Sequence, residues 1–173
     1  MITSLPEYTY LVPEDFHESS RVWIYQSNRL LTMSEALQLE ERLQVFIDSW
    51  KSHGTPVKGF GTLFFGQFLI LMADETASGV SGCSTDSSVR FVKEIETLFG
   101  IHLFDRQLLA FWHKNKVQTL PLSQISYALS NDFLTVDTLY FNNLVDTKLK
   151  LLTEWIVPVR QSWLKRYLHA VNG

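Results

Sequence analysis

The sequence predicts an α+β fold: an antiparallel sheet built from hairpins and covered by helices, including a long C-terminal helix kinked or broken near Pro158. Three observations carry this prediction. Two pairs of apolar runs are each split by a short turn-forming connection. Two internal segments and the C-terminal third repeat apolar residues at helical spacing. Strands and helices do not alternate as the crossovers of a parallel sheet would require.

The first element is a strand at 21–26, where Val22-Trp23-Ile24-Tyr25 is β-branched and aromatic and serines flank the run. Thr32 and Glu35 have the spacing of a capping box, and Leu39, Leu43, Phe46, Ile47 and Trp50 follow at helical intervals until Gly54. Residues 60–65 and 68–73 form a hairpin about Gly66-Gln67. Residues 74–88, rich in Ser, Thr, Gly and Asp, are expected as a loop. Val89, Val92, Ile95 and Phe99 then mark a helix stopped by Gly100. Residues 108–112 and 116–120 flank Lys114-Asn115 as a second hairpin. One helical turn is expected near 122–129, with the rest of 121–139 irregular. Finally Val145, Leu149, Leu152, Ile156, Val159, Trp163, Tyr167 and Ala170 keep spacings of three and four across Pro158, so a kink or break between two helices is expected there.

Composition narrows the function classes. A chain of 173 residues with 46% hydrophobic content, including 12 Phe, 5 Trp and 6 Tyr, has enough apolar volume for one core and is expected as a single domain over 1–173. Net charge is -3 and the longest basic cluster is Lys165-Arg166, so the electrostatic footprint of a nucleic-acid binder is missing. Cys83 is the single cysteine, which rules out an intrachain disulfide and fits a reducing, cytoplasmic compartment. The most apolar window, 60–73, is interrupted by Gly61, Gly66 and Gln67 and is shorter than the roughly 20 residues that span a bilayer. No membrane association is expected.

The segment that could carry chemistry runs from 79 to 90. Free backbone N–H groups and the positive end of the following helix could bind a small anion, with Ser81, Gly82, Ser84, Thr85, Ser87, Ser88 and Arg90 as its ligands. Cys83 could act there as a catalytic nucleophile if its thiol pKa were lowered. The structural reading is favoured: Ser, Thr and Asp are preferred helix caps, and a lone cysteine is most often a small buried hydrophobe. No Walker-type loop is present, because Lys51-Ser52 follows Trp50 rather than Gly. The six residues between Cys83 and Arg90 are one more than separate the same pair in the phosphate loop of cysteine phosphatases. The five histidines are scattered without an i, i+3 or i, i+4 pair, so no metal and no cofactor is implied. Asp74-Glu75 and Asp105 sit near element ends, where catalytic and ordinary solvated carboxylates are both common. Trp163 lies on the apolar stripe, whereas Trp155 falls just off it and is expected to be the more exposed.

Taken together, residues 22–29 (Val-Trp-Ile-Tyr-Gln-Ser-Asn-Arg), Ser52-His53-Gly54 and the Ser81 to Phe91 segment resemble a family of uncharacterised bacterial proteins of about this length. The match covers most of the chain. Some members carry the label ABC transporter ATPase, which this sequence does not support: the lysine loop is missing, and Cys83-Ser84 departs from the Ser-Gly-Gly-Gln signature that Ser81-Gly82 echoes. The resemblance implies a bacterial cytoplasmic protein and no established mechanism. The reading is therefore a non-enzymatic binding or interaction protein, expected as a homodimer through a sheet edge or the aromatic C-terminal helix. The alternative is a small cysteine-dependent enzyme, or a protein holding an anionic ligand on the Ser81 to Ser88 loop.

Overall fold

The computed structural model describes residues 5–76 and 82–168, and for residues 82–84 the backbone alone. Its centre is β5 (Phe68–Asp74), which pairs antiparallel with β1 (Arg21–Gln26) on one side and β4 (Lys58–Phe64) on the other. All seven residues of β5 are buried, as in a strand covered on both faces. One face of this sheet presents Trp23, Tyr25, Leu63, Leu69 and Leu71 to α1 (Met33–Ser49) and α2 (Gly82–Phe99). The opposite face presents Val22, Ile24, Phe68, Ile70 and Met72 to a second apolar cluster.

That cluster is shared with a second antiparallel sheet, ordered β7 (Lys116–Pro121), β6 (Leu108–His113), β8 (Leu139–Phe141), β9 (Ile156–Pro158). Ala110, Trp112 and Phe141 face the shared core, together with Leu151 of α4 (Lys148–Glu154). Leu109, Phe111 and Tyr140 face the other way, onto α3 (Ile125–Ser130) and the 3-10 turn Trp163–Tyr167. The layers therefore run helix, sheet, sheet, helix. A two-residue pair, β2 (Lys51–Ser52) and β3 (Thr55–Pro56), closes the end of α1.

The capping box forms as expected: Glu35 N–H donates to Thr32 Oγ1 (3.1 Å) and Thr32 N–H to Glu35 Oε1 (2.9 Å). The Lys114-Asn115 turn also forms, with φ of 52° and 63°, the type I′ conformation that suits hairpin twist. The first hairpin turns one residue earlier than its sequence suggests. Phe65 (φ 54°) and Gly66 (φ 64°) are its central residues, and Gln67 N–H donates to Phe64 O (3.1 Å). A left-handed phenylalanine is unfavourable on its own, but its ring packs against Phe141, Trp112 and Trp155 at 5.6–5.9 Å, which holds it there.

The long C-terminal helix does not exist. α4 ends at Glu154, and residues 156–158 form β9, followed by 3-10 turns at Val159–Gln161 and Trp163–Tyr167. The backbone groups that a helix would pair internally are satisfied by residues 136–142. Asn142 N–H donates to Trp155 O, Val159 N–H to Thr138 O and Arg160 N–H to Val136 O. Pro158 ends β9, a position that a proline tolerates. Trp155, expected off the buried stripe, is 0% exposed. The aromatic C-terminal helix, one of the two surfaces expected for dimerisation beside a sheet edge, is therefore not formed among the described residues.

Asp74, at the end of β5, pins the N-terminal segment. Its carboxylate accepts from His17 N–H (3.0 Å), Thr76 N–H (2.9 Å) and Thr76 Oγ1 (2.6 Å), with Lys58 Nζ at 3.9 Å. These donors, Thr76 first, lower its pKa from the ordinary 3.8 to about 2. A carboxylate with a depressed folded pKa adds stability above its unfolded pKa, and that stability is lost as pH falls from about 5 towards 2. Asp74→Asn removes at most about 2 kcal/mol at neutral pH and turns an amide donor towards a backbone donor. Urea denaturation of both proteins at stepped pH checks this: the gap should narrow as pH falls through about 4 and close only at about pH 2 and below. A gap that persists at that acidity would show that the Asp74 charge is not responsible.

Candidate functional site

Arg29 sets the relation of the two helices. Its guanidinium donates bidentately to Glu35 (2.8 Å twice), in the first turn of α1, and to Phe99 O (2.8 Å), at the last residue of α2. Hydrogen bonding to Arg29 is the first cause that lowers the Glu35 pKa to about 2. The α1 start is thus tied to the α2 end, and the α1 end lies beside the first half of α2. There Phe46 and Phe91 stack at 4.5 Å, and Trp50 tilts against Phe46 at 5.2 Å.

Above these rings lies an open groove of about 760 Å³. Phe46, Trp50 and Phe91 form its floor, and Arg42, Lys51, Arg90, Glu41 and Glu94 line its rim. Exposed Val45 adds an apolar edge. Among the described residues, none of the three rim cations is in an ion pair, so their charge is available to a ligand. Three cations against two carboxylates make the rim net positive on a chain whose net charge is -3. The described lining includes neither histidine nor cysteine. Its chemistry is that of binding: an apolar surface for a flat body, and guanidinium and ammonium donors for an anion.

The residues expected from sequence to form an anion loop are not gathered on a loop. Ser81 lies outside the described residues, and so do the side chains of Gly82, Cys83 and Ser84. The helix begins at Gly82, so Thr85, Ser87 and Ser88 project from α2 instead. Ser88 is fully buried, and its hydroxyl donates to Thr85 O (2.6 Å). Thr85 is half-buried. Ser87 and Arg90 alone of the set line the groove, with Arg90 Nη2 3.4 Å from Ser87 Oγ. Sequence reading missed Arg42, Lys51, Glu41 and Glu94, which are ordinary surface charges until two distant helices meet. Val45, an apolar residue off the α1 stripe, was the one available hint.

The other carboxylates singled out are occupied structurally. Asp74 is the latch described above, Glu75 lies 3.5 Å from Arg21 Nε, and Asp105 accepts from Gln107 N–H (2.9 Å). Among the described residues no three His, Cys, Asp or Glu side chains converge as a metal site requires. No helix in the described residues is long and apolar enough to cross a membrane.

Fold and groove together define an α+β protein with a mixed-charge, aromatic-floored cleft between two antiparallel helices. No family model, curated protein or solved structure matches the chain.

Proposed function

We propose that the protein is a non-enzymatic binding protein whose α1–α2 groove takes a small anionic ligand with a planar apolar body. The observation that carries this reading is the set of three cations without an ion-pair partner among the described residues, Arg42, Lys51 and Arg90, around a floor of Phe46, Trp50 and Phe91. The ring faces supply area and the cations supply orientation, the usual division of labour in a ligand pocket. The bacterial, cytoplasmic setting implied by the family resemblance belongs to the same proposal. Cys83 takes no part in chemistry on this reading.

Calorimetric titration with phenyl phosphate and with inorganic phosphate tests it. Phenyl phosphate binds more tightly than phosphate, and Arg90→Gln or Arg42→Gln each weakens it about fivefold, the scale of one partly exposed charge-assisted contact. Added salt lowers the affinity of all of them. Both arginines are exposed, so the variants fold. Absence of binding, or binding indifferent to both variants, overturns the reading. Cys83→Ala retains binding; its loss in that variant would favour the cysteine-dependent alternative.

A further inference from the structure

A second cleft lies along the outer edge of β1. Arg21 bridges Thr147, Val22 N–H donates to Asp146 O (2.9 Å) and Lys148 N–H to Ser20 O (2.9 Å), so an antiparallel ladder starts on this edge. Continued in register, it would next join Ile24 to Leu144. It does not. The N–H and C=O groups of alternate residues point to the same side of a strand, so those of Ile24 face the same way as Val22 N–H. No hydrogen bond among the described residues reaches them.

The opening is held by a polar strut. Gln26 Nε2 donates to Leu108 O (3.0 Å), Asn143 Nδ2 to Gln26 Oε1 (2.9 Å) and Trp155 Nε1 to Asn143 Oδ1 (3.0 Å). With the strands bridged at one end and braced at the other, a space of about 300 Å³ remains, at the small end of ligand pockets. Its walls include Tyr25, Leu108, Tyr140, Phe141 and Trp163, and Arg106 stands at its margin without an ion-pair partner among the described residues.

We propose that this cleft binds a short, extended peptide or N-acylated amino acid with an apolar side chain and a free carboxylate. The ligand's amide groups complete the ladder at Ile24, its side chain lies against the aromatic wall, and its carboxylate pairs with Arg106. Two features choose this occupant over a plain hydrophobe: a strand edge inside the cleft with no backbone partner among the described residues, and beside it a guanidinium with no ion-pair partner among them. The volume limits the ligand to a short one.

Backbone amide NMR of the full chain, titrated with N-acetyl-L-phenylalanine and separately with its methyl ester, tests the proposal. The Ile24 and Asn143 amide resonances shift saturably with the acid, and the ester binds about fivefold more weakly. Arg106→Gln brings the acid down to the level of the ester. An unmoved Ile24 resonance, equal binding of acid and ester by the unaltered protein, or shifts confined to the α1–α2 groove would each overturn it. Arg90→Gln leaves this titration unchanged, so the two sites succeed or fail separately.

Discussion

Replacing Lys148 by Met should lower stability by about 3 kcal/mol, although the methionine fills the space of the aliphatic stem. Lys148 is only 7% exposed, yet it has no carboxylate partner within ion-pair distance among the described residues. Its ammonium donates to Pro13 O (2.6 Å), Phe16 O (2.7 Å) and, at longer range, Glu14 O (3.4 Å). An ammonium has three donors, and all three are used by one bend of the N-terminal segment. The thioether donates nothing, so the bend keeps buried carbonyls that lose their charge-assisted partner. For a chain of this length the change corresponds to a fall in Tm of roughly 10 °C. Lys150→Met is the matched control. Its ion pair with Asp146 (3.3 Å) is half-exposed, and its loss should change stability by less than about 0.5 kcal/mol. Thermal and urea denaturation of the pair would decide the matter: equal effects would mean that the carbonyl cage contributes nothing.

Trp155→Ala should be more damaging still, by about 4–5 kcal/mol. The indole is fully buried between the two sheets and meets Tyr8, Phe68 and Phe141 at 5.2–5.4 Å, with Phe64 and Phe65 at 5.9 Å. Truncation leaves a cavity that strand-borne neighbours cannot collapse to fill, so the lost transfer energy and the cavity term add. Trp155→Phe separates packing from hydrogen bonding. It keeps most of the apolar contact, costs about 1–2 kcal/mol and removes the donor to Asn143. Because Asn143 braces Gln26, the Phe variant should also raise the exchange rate of the Gln26 side-chain amide, measurable by NMR. An unchanged exchange rate would break the link between the core and the strut.

Local signals in the sequence were reliable where a few neighbouring residues decide the outcome. The Thr32–Glu35 box, the α1 stripe and the Lys114-Asn115 turn all formed, because each is closed by contacts within one or two turns of chain. The turn at Phe65-Gly66 was displaced by one residue because the Phe65 ring has an aromatic nest to enter, and that nest comes from β6, β8 and Trp155. The C-terminal third misled for a related reason. Spacings of three and four from Val145 to Tyr167 are compatible with a helix, but the chain instead forms a short helix, a strand and two tight turns, which bury Leu151, Trp155 and Leu164 off that stripe and leave Leu149 exposed. Residues 136–142, which had no clear periodicity, supplied the partner strand that selected the second arrangement.

The candidate sites divide in the same way. Ser87 and Arg90 were legible as polar residues near a helix start, yet the helix itself begins at Gly82 and directs Ser88 into the core instead. Arg42, Lys51 and the β1-edge cleft were not legible at all.

By itself, the sequence determined the class of the fold, the capped first helix and both hairpins, the first to within one residue, since periodicity, capping and turn chemistry are local properties. Tertiary structure alone decided the layering of two sheets between helices, the conversion of the expected C-terminal helix into β9 and 3-10 turns, and the location of both clefts. Each of those depends on backbone groups or charges finding partners far away in the chain: Asn142 with Trp155, Arg29 with Phe99, and Lys148 with Pro13 and Phe16. A hydrogen bond satisfied at long range gives no periodic signal along the chain, so only the folded arrangement reveals it.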